Sequence, residues 1–420
     1  MTEREAEEFR QMLRERGSRP GLERVSRLAE ELGNPQDAVP CVHIAGTNGK
    51  GSVLAYMSTV LKEAGYATGS FFSPALGDER EMIGFGGKPI TKKLYLEGWE
   101  RISRTQAASE VTLFEAQTVL AYWFFREKGC DVAVVECGMG GAGDATSILK
   151  NAALCVFVPI SSDHTAVLGN GIGAIAREKS GIITEGTDVV SAVQTEEAGK
   201  VLELAAKKAG ASFVTAQEPR NIRYGLSRQT FDCGAYKKLA ISLAGVWQPQ
   251  NAALAVTALS LLGTKGFPVS EKALRNGLEK TSWYGRFSVL KRKPLLIADG
   301  AHNEAGAQAL ADSLARYFPD KKVVLLMGVL RDKDHDAMLR ILLPYAEQLV
   351  CLTPPDNPRA LPAMELAEEA LRYSGNVSAA GSVEEGLEMA LLLADGKMPV
   401  MACGSLSWLQ RLKKITEGSV

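Results

Sequence analysis

Short apolar runs that end in glycine or an acidic residue alternate with longer amphipathic segments over the first half of the chain. Val39–Ala45, Val132–Cys137, Leu154–Ile160 and Asp188–Val193 read as buried strands, because each is a short, near-continuous apolar run of the kind found in strands covered on both faces. Gly49–Ala64 and Thr112–Lys128 read as helices. The second opens on Thr112-Leu113-Phe114-Glu115, the spacing of a capping box, in which the Thr and Glu side chains each satisfy the other's backbone N–H. Such alternation predicts an α/β domain around a parallel sheet.

Residues 222–243 break the pattern. They are polar and short in period, and read as antiparallel hairpins. Helical patterns resume at Gln250–Leu262 and Ser270–Glu279. Trp283–Pro294 is rich in basic and turn residues, and the linker is placed there, at 285–296. Beyond it Leu295–Ala298, Val323–Met327, Leu349–Leu352 and Val400–Ala402 read as strands separated by helices. The expected organisation is thus a first domain over 1–284 and a smaller α/β domain over 297–420, without internal repeats or low-complexity tracts.

Composition narrows the classes. With 420 residues, 46% hydrophobic and 23% charged, the chain is an ordinary globular protein too long for one comfortable core. A net charge of −1 without a long run of one sign gives no bulk attraction to nucleic acid or membrane, so an anionic substrate must be met by local groups. Seven scattered cysteines, with no Cys-x-x-Cys pair, point to buried thiols in a reducing compartment. Met1–Arg16 lacks the apolar core of a signal peptide, and no apolar stretch nears the roughly 20 residues of a membrane span. A cytoplasmic protein is expected.

The strongest local signal is Gly46-Thr47-Asn48-Gly49-Lys50-Gly51-Ser52, between an apolar strand and an amphipathic helix. Glycines let backbone N–H groups close around phosphate oxygens, and the helix N-terminus adds positive potential. Lys50 is placed to reach the β- and γ-phosphates and Ser52 to ligate Mg²⁺. The loop departs from the common phosphate-loop pattern: Ile44 stands where the first glycine would be, and Gly51 separates lysine from serine. Glu136 ends one strand and Asp163-His164 follows another. Ligands at the C-terminal ends of neighbouring parallel strands converge, so Glu136 and His164 are candidates to hold Mg²⁺ beside a nucleotide. A carboxylate after four apolar residues is costly unless paired. His164 reads equally well as a capped loop histidine.

Taken together these segments resemble the folylpolyglutamate synthase and dihydrofolate synthase family of the Mur ligase superfamily. The matching stretches run in order over nearly the whole chain: Val42-His43-Ile44-Ala45 with the Gly46–Ser52 loop; Phe72-Ser73-Pro74; Glu136-Cys137-Gly138-Met139-Gly140-Gly141 with Asp144-Ala145-Thr146; Asp163-His164-Thr165; Arg177–Ile183; Asn251-Ala252-Ala253; Gly285-Arg286; Asp299–Asn303; and Asp356-Asn357-Pro358-Arg359. The resemblance implies an N-terminal P-loop ATPase-type parallel-sheet domain plus a smaller C-terminal Rossmann-like α/β domain. It also implies an ATP-dependent ligase that adds L-glutamate to a folate through an acyl phosphate, with dihydropteroate as a further acceptor.

By the same resemblance Ser52, Ser73, Glu136 and His164 are Mg²⁺ ligands, with two Mg²⁺ sites, and Lys179 is the lysine that the family carbamylates. On local sequence alone Lys179 reads as a surface helix lysine. Asn251, Arg286 and Asp299 join the Gly46–Ser52 loop as ATP-binding residues, Lys50 and Lys179 act in catalysis, and His302 belongs to the active site. Thr112, Gly143, Asp144 and Ala145 line the pterin site. Arg359 is a candidate bidentate partner of a glutamate carboxylate. Two departures stand beside that site: Ala75 replaces a histidine and Ala142 an arginine. The expected partners are small molecules only (folate or dihydropteroate, L-glutamate and ATP), acting on a monomer with no nucleic acid and no membrane. The rival readings are another Mur-type amino-acid ligase and a nucleotide-binding regulator without catalysis. Only 45 residues precede Gly46, few for the separate UDP-binding domain of the peptidoglycan ligases.

Overall fold

In a computed structural model, residues 1–75, 77–150, 152–162, 169 and 171–418 are described. The chain forms two compact units. One comprises Met1–Pro219, Cys233–Lys237 and Gln250–Thr281, the other Arg220–Asp232, Lys238–Pro249 and Ser282–Val420.

The first unit is built on eight strands: β1 Cys41–Ala45, β2 Thr68–Phe71, β3 Ile83–Phe85, β4 Lys88–Pro89, β5 Val132–Glu136, β6 Leu154–Phe157, β7 Val189–Ser191 and β8 Phe213–Thr215. Their spatial order is β4-β3-β2-β5-β1-β6-β7-β8. The six strands from β2 to β8 are parallel, and β3 and β4 add an antiparallel edge. Every residue of β1, β5 and β6 is buried, which is why these strands read as unbroken apolar runs. The strands are shorter than those runs, because flanking apolar residues such as Val39 and Val158 fill the core from loops. The helix Leu113–Glu127 carries the expected capping box, with Thr112 Oγ1 accepting from Glu115 N–H and the Glu115 carboxylate accepting from Thr112 N–H at 2.6 Å.

Residues 220–241 form a small three-stranded sheet, β9 Arg220–Arg223, β10 Gln229–Cys233 and β11 Tyr236–Ile241, with β9 and β10 antiparallel. In the second unit, β12 Ser288–Arg292, β13 Leu295–Ala298, β14 Val323–Met327, β15 Ala346–Leu352, β16 Val377–Ala380 and β17 Val400–Cys403 pair in the order β12-β13-β17-β14-β15-β16. All are parallel except β12, which pairs antiparallel with β13. Along β14, Val323, Leu325 and Met327 enter one apolar layer while Val324 and Leu326 enter the other. Period-2 alternation with both faces covered therefore appears in sequence as a continuous apolar strand. Among the described residues no helix is long and apolar enough to cross a membrane.

Candidate functional site

The connection from β1 runs to one side of the sheet, towards β2 and β5, and the chain then crosses to β6 on the other side. The reversal opens a crevice at the C-terminal ends of β1, β5 and β6, where α/β sheets bind ligands. The loop after β1 fills that edge. Gly46 has φ 130°, and a Cβ there would stand 2.3 Å from Val158 Cγ2 and 2.6 Å from Val158 O, so only glycine lets the loop lie against the segment after β6. Thr47 N–H donates to Pro159 O at 3.0 Å, and the Thr47 hydroxyl both donates to Ser161 O and accepts from Ser161 N–H, each at 3.0 Å. Gly49, at φ 109°, precedes the helix Lys50–Glu63 and lies against Asn251, whose Oδ1 would be 2.7 Å from a Cβ at this position. A helix N-terminus carries partial positive charge, which makes this edge suited to an anion.

Three charged side chains converge on this loop. Lys50 Nζ donates to Gly46 O at 3.3 Å and Thr47 O at 3.2 Å, and stands 3.8 Å from Glu136 Oε1. Glu136, the last residue of β5, is buried, and the neighbouring ammonium offsets the cost of desolvating its carboxylate. Lys179 Nζ donates to Gly46 O at 2.9 Å and is only 5% exposed. The surface-lysine reading of Lys179 is therefore corrected: the lysine is buried against the Gly46–Ser52 loop. Ser52 is buried in the first turns of the same helix, and Ser73 follows β2 at the same edge of the sheet. His164 lies outside the described residues.

The loop after β5 is docked onto the segment that carries Lys179. Ala142 N–H donates to Glu178 O at 2.9 Å and Gly143 N–H to Glu178 Oε1 at 3.2 Å. A Cβ on Gly141 would stand 2.7 Å from Lys179 Cα, so this contact also requires glycine. Asp144, buried, accepts from Met139 N–H on Oδ2 at 2.7 Å and from Thr146 N–H on Oδ1 at 3.0 Å. Ala145 is buried beside it, and Gly143 O accepts from Gly21 N–H at 3.1 Å. Gly138 lies close against the Phe114 ring edge and Asp144 Oδ2, which would stand 2.5 Å and 3.2 Å from a Cβ there. An aromatic edge beside a carboxylate suits a flat heterocycle with hydrogen-bond donors. Thr112 sits at the head of the helix that supplies Phe114, and Glu115 also pairs with Arg24 at 2.9 Å. Thr112→Ala should cost about 1 kcal/mol of stability through loss of the cap, measured by denaturant unfolding.

In the second unit the end of β13 carries the other candidates. Asp299 Oδ2 accepts from Phe287 N–H at 2.7 Å and Oδ1 from Ala301 N–H at 2.8 Å. Burial pushes its carboxyl above the usual range, against the opposing pull of Arg286 and these two N–H groups. Gly300 N–H donates to Gly285 O at 2.8 Å, and a Cβ on Gly300 would be 2.8 Å from Arg286 Nη1, so Gly285-Arg286 is tied to the end of β13. His302 Nδ1 is 2.7 Å from Gly300 O. A carbonyl only accepts, so Nδ1 carries a proton in this bond. Arg359 is on a separate loop, exposed, with Nη1 3.3 Å from Asp332 Oδ2. An exposed pair of this kind is weak, so the guanidinium exchanges partners at little cost.

The first unit thus gathers Gly46–Ser52, Glu136, Lys179 and Asn251 at one sheet edge and holds Asp144 with Gly143 and Ala145 on the adjoining loop. The second gathers Arg286, Asp299 and His302 and leaves Arg359 apart. Sequence reasoning gave no functional weight to Phe114, Glu178, His43 or Thr146. The signal for the last two was a polar residue inside an apolar strand and a hydroxyl two residues after a buried aspartate.

Residues 44–259 match the Mur ligase middle domain, and residues 285–406 match the Mur ligase glutamate ligase domain. The chain is 34% identical over 373 residues to the dihydrofolate synthase/folylpolyglutamate synthase of Bacillus subtilis, spanning 83% of this chain and 84% of that protein. Mycobacterium tuberculosis folylpolyglutamate synthase complexed with ADP matches with a TM-score of 0.90 and 31% identity over 98% of both chains. Escherichia coli FolC in complex with DHPP and ADP matches with a TM-score of 0.85 and 29% identity, over 96% of this chain and 94% of that one.

Proposed function

This chain belongs to the Mur ligase family, among its folylpolyglutamate and dihydrofolate synthases, and we propose how its residues carry out the ATP-dependent, ADP-forming joining of L-glutamate to a folate. The observation that carries the reading is the glycine loop at the head of the helix Lys50–Glu63, with the Lys50 ammonium on its Gly46 and Thr47 carbonyls and the buried Glu136 beside it. That arrangement suits a polyphosphate, with a buried carboxylate at its side.

The folate carboxylate oxygen attacks the γ-phosphorus, ADP leaves, and an acyl phosphate forms. The glutamate amine then attacks the acyl carbon, phosphate leaves, and the amine nitrogen loses its proton. Lys50 and the helix N-terminus stabilise the charge on the phosphoryl oxygens as the γ-phosphorus is transferred. Asn251, Arg286 and Asp299 hold the nucleotide. Asp144, with Thr112, Gly143 and Ala145 around it, takes the pterin. Arg359 takes a glutamate carboxylate in a two-point contact, and His302 acts from the second unit. Ser52, Ser73 and Glu136 offer hydroxyl and carboxylate oxygens, the donors Mg²⁺ prefers, and His164 completes the proposed set. Bound there, Mg²⁺ supplies charge neutralisation at the phosphates. Lys179 is proposed to carry a carbamate, whose anionic oxygens would help to hold a second Mg²⁺.

We assign ATP binding and the pterin site to residues 1–284, a linker to 285–296, and the glutamate contacts with part of the ATP site to 297–420. The reading extends to a cytoplasmic monomer that acts on small molecules, without nucleic acid or membrane partners. A net charge of −1 and seven buried free thiols support it. On substrate breadth, Ala142 and Ala75 leave the pterin loop without a cation that would help a short anionic acceptor. A charged hydrogen bond lost there corresponds to roughly 30- to 150-fold in affinity. ADP release with glutamate should therefore favour tetrahydrofolate over dihydropteroate by about that factor in kcat/KM. A better rate with dihydropteroate overturns the ranking, and no folate-dependent ADP release overturns the assignment.

A further inference from the structure

The buried hydrogen bonds behind Asp144 extend to the strand that carries the phosphate loop. His43, on β1 three residues before Gly46, is 1% exposed, and its Nε2 is 2.8 Å from Thr146 Oγ1. The Thr146 hydroxyl is in turn 2.5 Å from Asp144 Oδ1. Proton accounting gives these bonds a direction. A carboxylate only accepts, so the single hydroxyl proton of Thr146 goes to Asp144, and His43 must donate from Nε2. Burial pushes the His43 ring down to about 3, so it stays neutral and its tautomer is set by this bond. Thr146 is fixed from its backbone side as well, since its carbonyl accepts from the buried Tyr122 hydroxyl at 3.0 Å.

The same accounting shows what remains for a ligand. Asp144 Oδ1 receives Thr146 N–H and Thr146 O–H, which fill its two lone pairs. Oδ2 receives Met139 N–H, so one acceptor position is left on Oδ2 among the described contacts, and Gly138 places no side chain against it, where a Cβ would stand 3.2 Å away. We infer that His43 and Thr146 are positioning residues for the folate: the chain His43–Thr146–Asp144 locks the carboxylate rotamer so that its one remaining acceptor faces the donor edge of the pterin. Neither residue touches substrate. The inference rests on the reading of Asp144 as a pterin contact, and the experiment separates the two.

Steady-state KM values for tetrahydrofolate and for ATP are measured in Thr146→Val, Thr146→Ser, His43→Leu, His43→Gln, Asp144→Ala and the double variant Asp144→Ala/Thr146→Val. Thr146→Val and His43→Leu, which remove a donor, should raise the folate KM about 10-fold while the ATP KM moves less than about 2-fold. Thr146→Ser and His43→Gln, which keep one, should restore most of the folate affinity. Adding Thr146→Val to Asp144→Ala should raise the folate KM no further. An unchanged folate KM in Asp144→Ala overturns the reading of Asp144. A raised folate KM in Asp144→Ala with none in Thr146→Val or His43→Leu overturns the positioning role alone. Equal losses for folate and ATP in those two variants mark a structural role and overturn it too. Should one donor-less variant not fold, the other site's pair gives the same decision.

Discussion

Lys50→Ala should abolish folate-dependent ADP formation and leave the protein folded. Its ammonium bonds to two loop carbonyls and faces the buried carboxylate of Glu136, so it supplies the movable positive charge at the head of the helix Lys50–Glu63. Phosphoryl transfer spreads charge over oxygens that only preorganised donors can meet, and removing one such donor costs about 10²–10³-fold in kcat. The effect on folding is smaller. The Lys50–Glu136 contact is 3.8 Å, at the long end for an ion pair, and the loop stays anchored through Thr47, Ser161 and Lys179. Lys50→Arg should recover little, because a planar fork does not replace a point charge with rotatable donors. The checks are coupled ADP release and circular dichroism on the same preparation. Near-wild-type turnover in folded Lys50→Ala would sink the assignment of this loop to ATP.

Which parts of this site can be read in the sequence follows from how local their causes are. β1, β5, β6 and β14 are legible because both faces of each are covered, so their residues form apolar runs. The capping box at Thr112 is legible because its two partners lie three residues apart, and the glycine loop because its signal is one unbroken run, Gly46–Ser52. β2, whose sequence is Thr-Gly-Ser-Phe, carries no such run and is a strand only because β5 and β3 pair with it. The helices Glu3–Arg14 and Glu23–Glu31 are amphipathic, with apolar faces that the same periodicity makes legible, although the charge of Met1–Arg16 masks it.

Side-chain placement was harder where the cause is distant. Lys179 ends a helix, where a cation favours the dipole and is normally solvated. It is buried because the loop at 140–143 docks over residues 178–181, where Gly141 and Gly181 allow backbone-to-backbone approach. His43 looks in sequence like a polar interruption of an apolar strand. Its partner is 103 residues away, and no local pattern links the two.

The burial of Lys179 bears on the carbamate proposed for it. A lysine 5% exposed, beside a second ammonium on the same carbonyl, is costly to keep charged. Carbamylation relieves that cost: the neutral amine attacks CO₂, an N–C bond forms, a proton leaves to solvent, and the product is an anion. One N–H remains on Nζ, so the bond to Gly46 O can persist. Two results are expected. Enzyme equilibrated with ¹³C-labelled bicarbonate should show a carbamate carbonyl resonance that is absent in Lys179→Ala. That variant should lose about 10²–10³-fold in ADP formation, the scale of removing one preorganised charge at a phosphoryl site. Removing one of the two donors to Gly46 O costs about 0.5–1.5 kcal/mol of stability, so a melting curve run alongside distinguishes unfolding from lost chemistry. A short carboxylic acid such as acetate should restore part of the activity, because it supplies the anion in the vacated space, whereas methylammonium should not. Rescue by methylammonium alone, or full activity with no carbamate resonance, would show that Lys179 works as an ammonium.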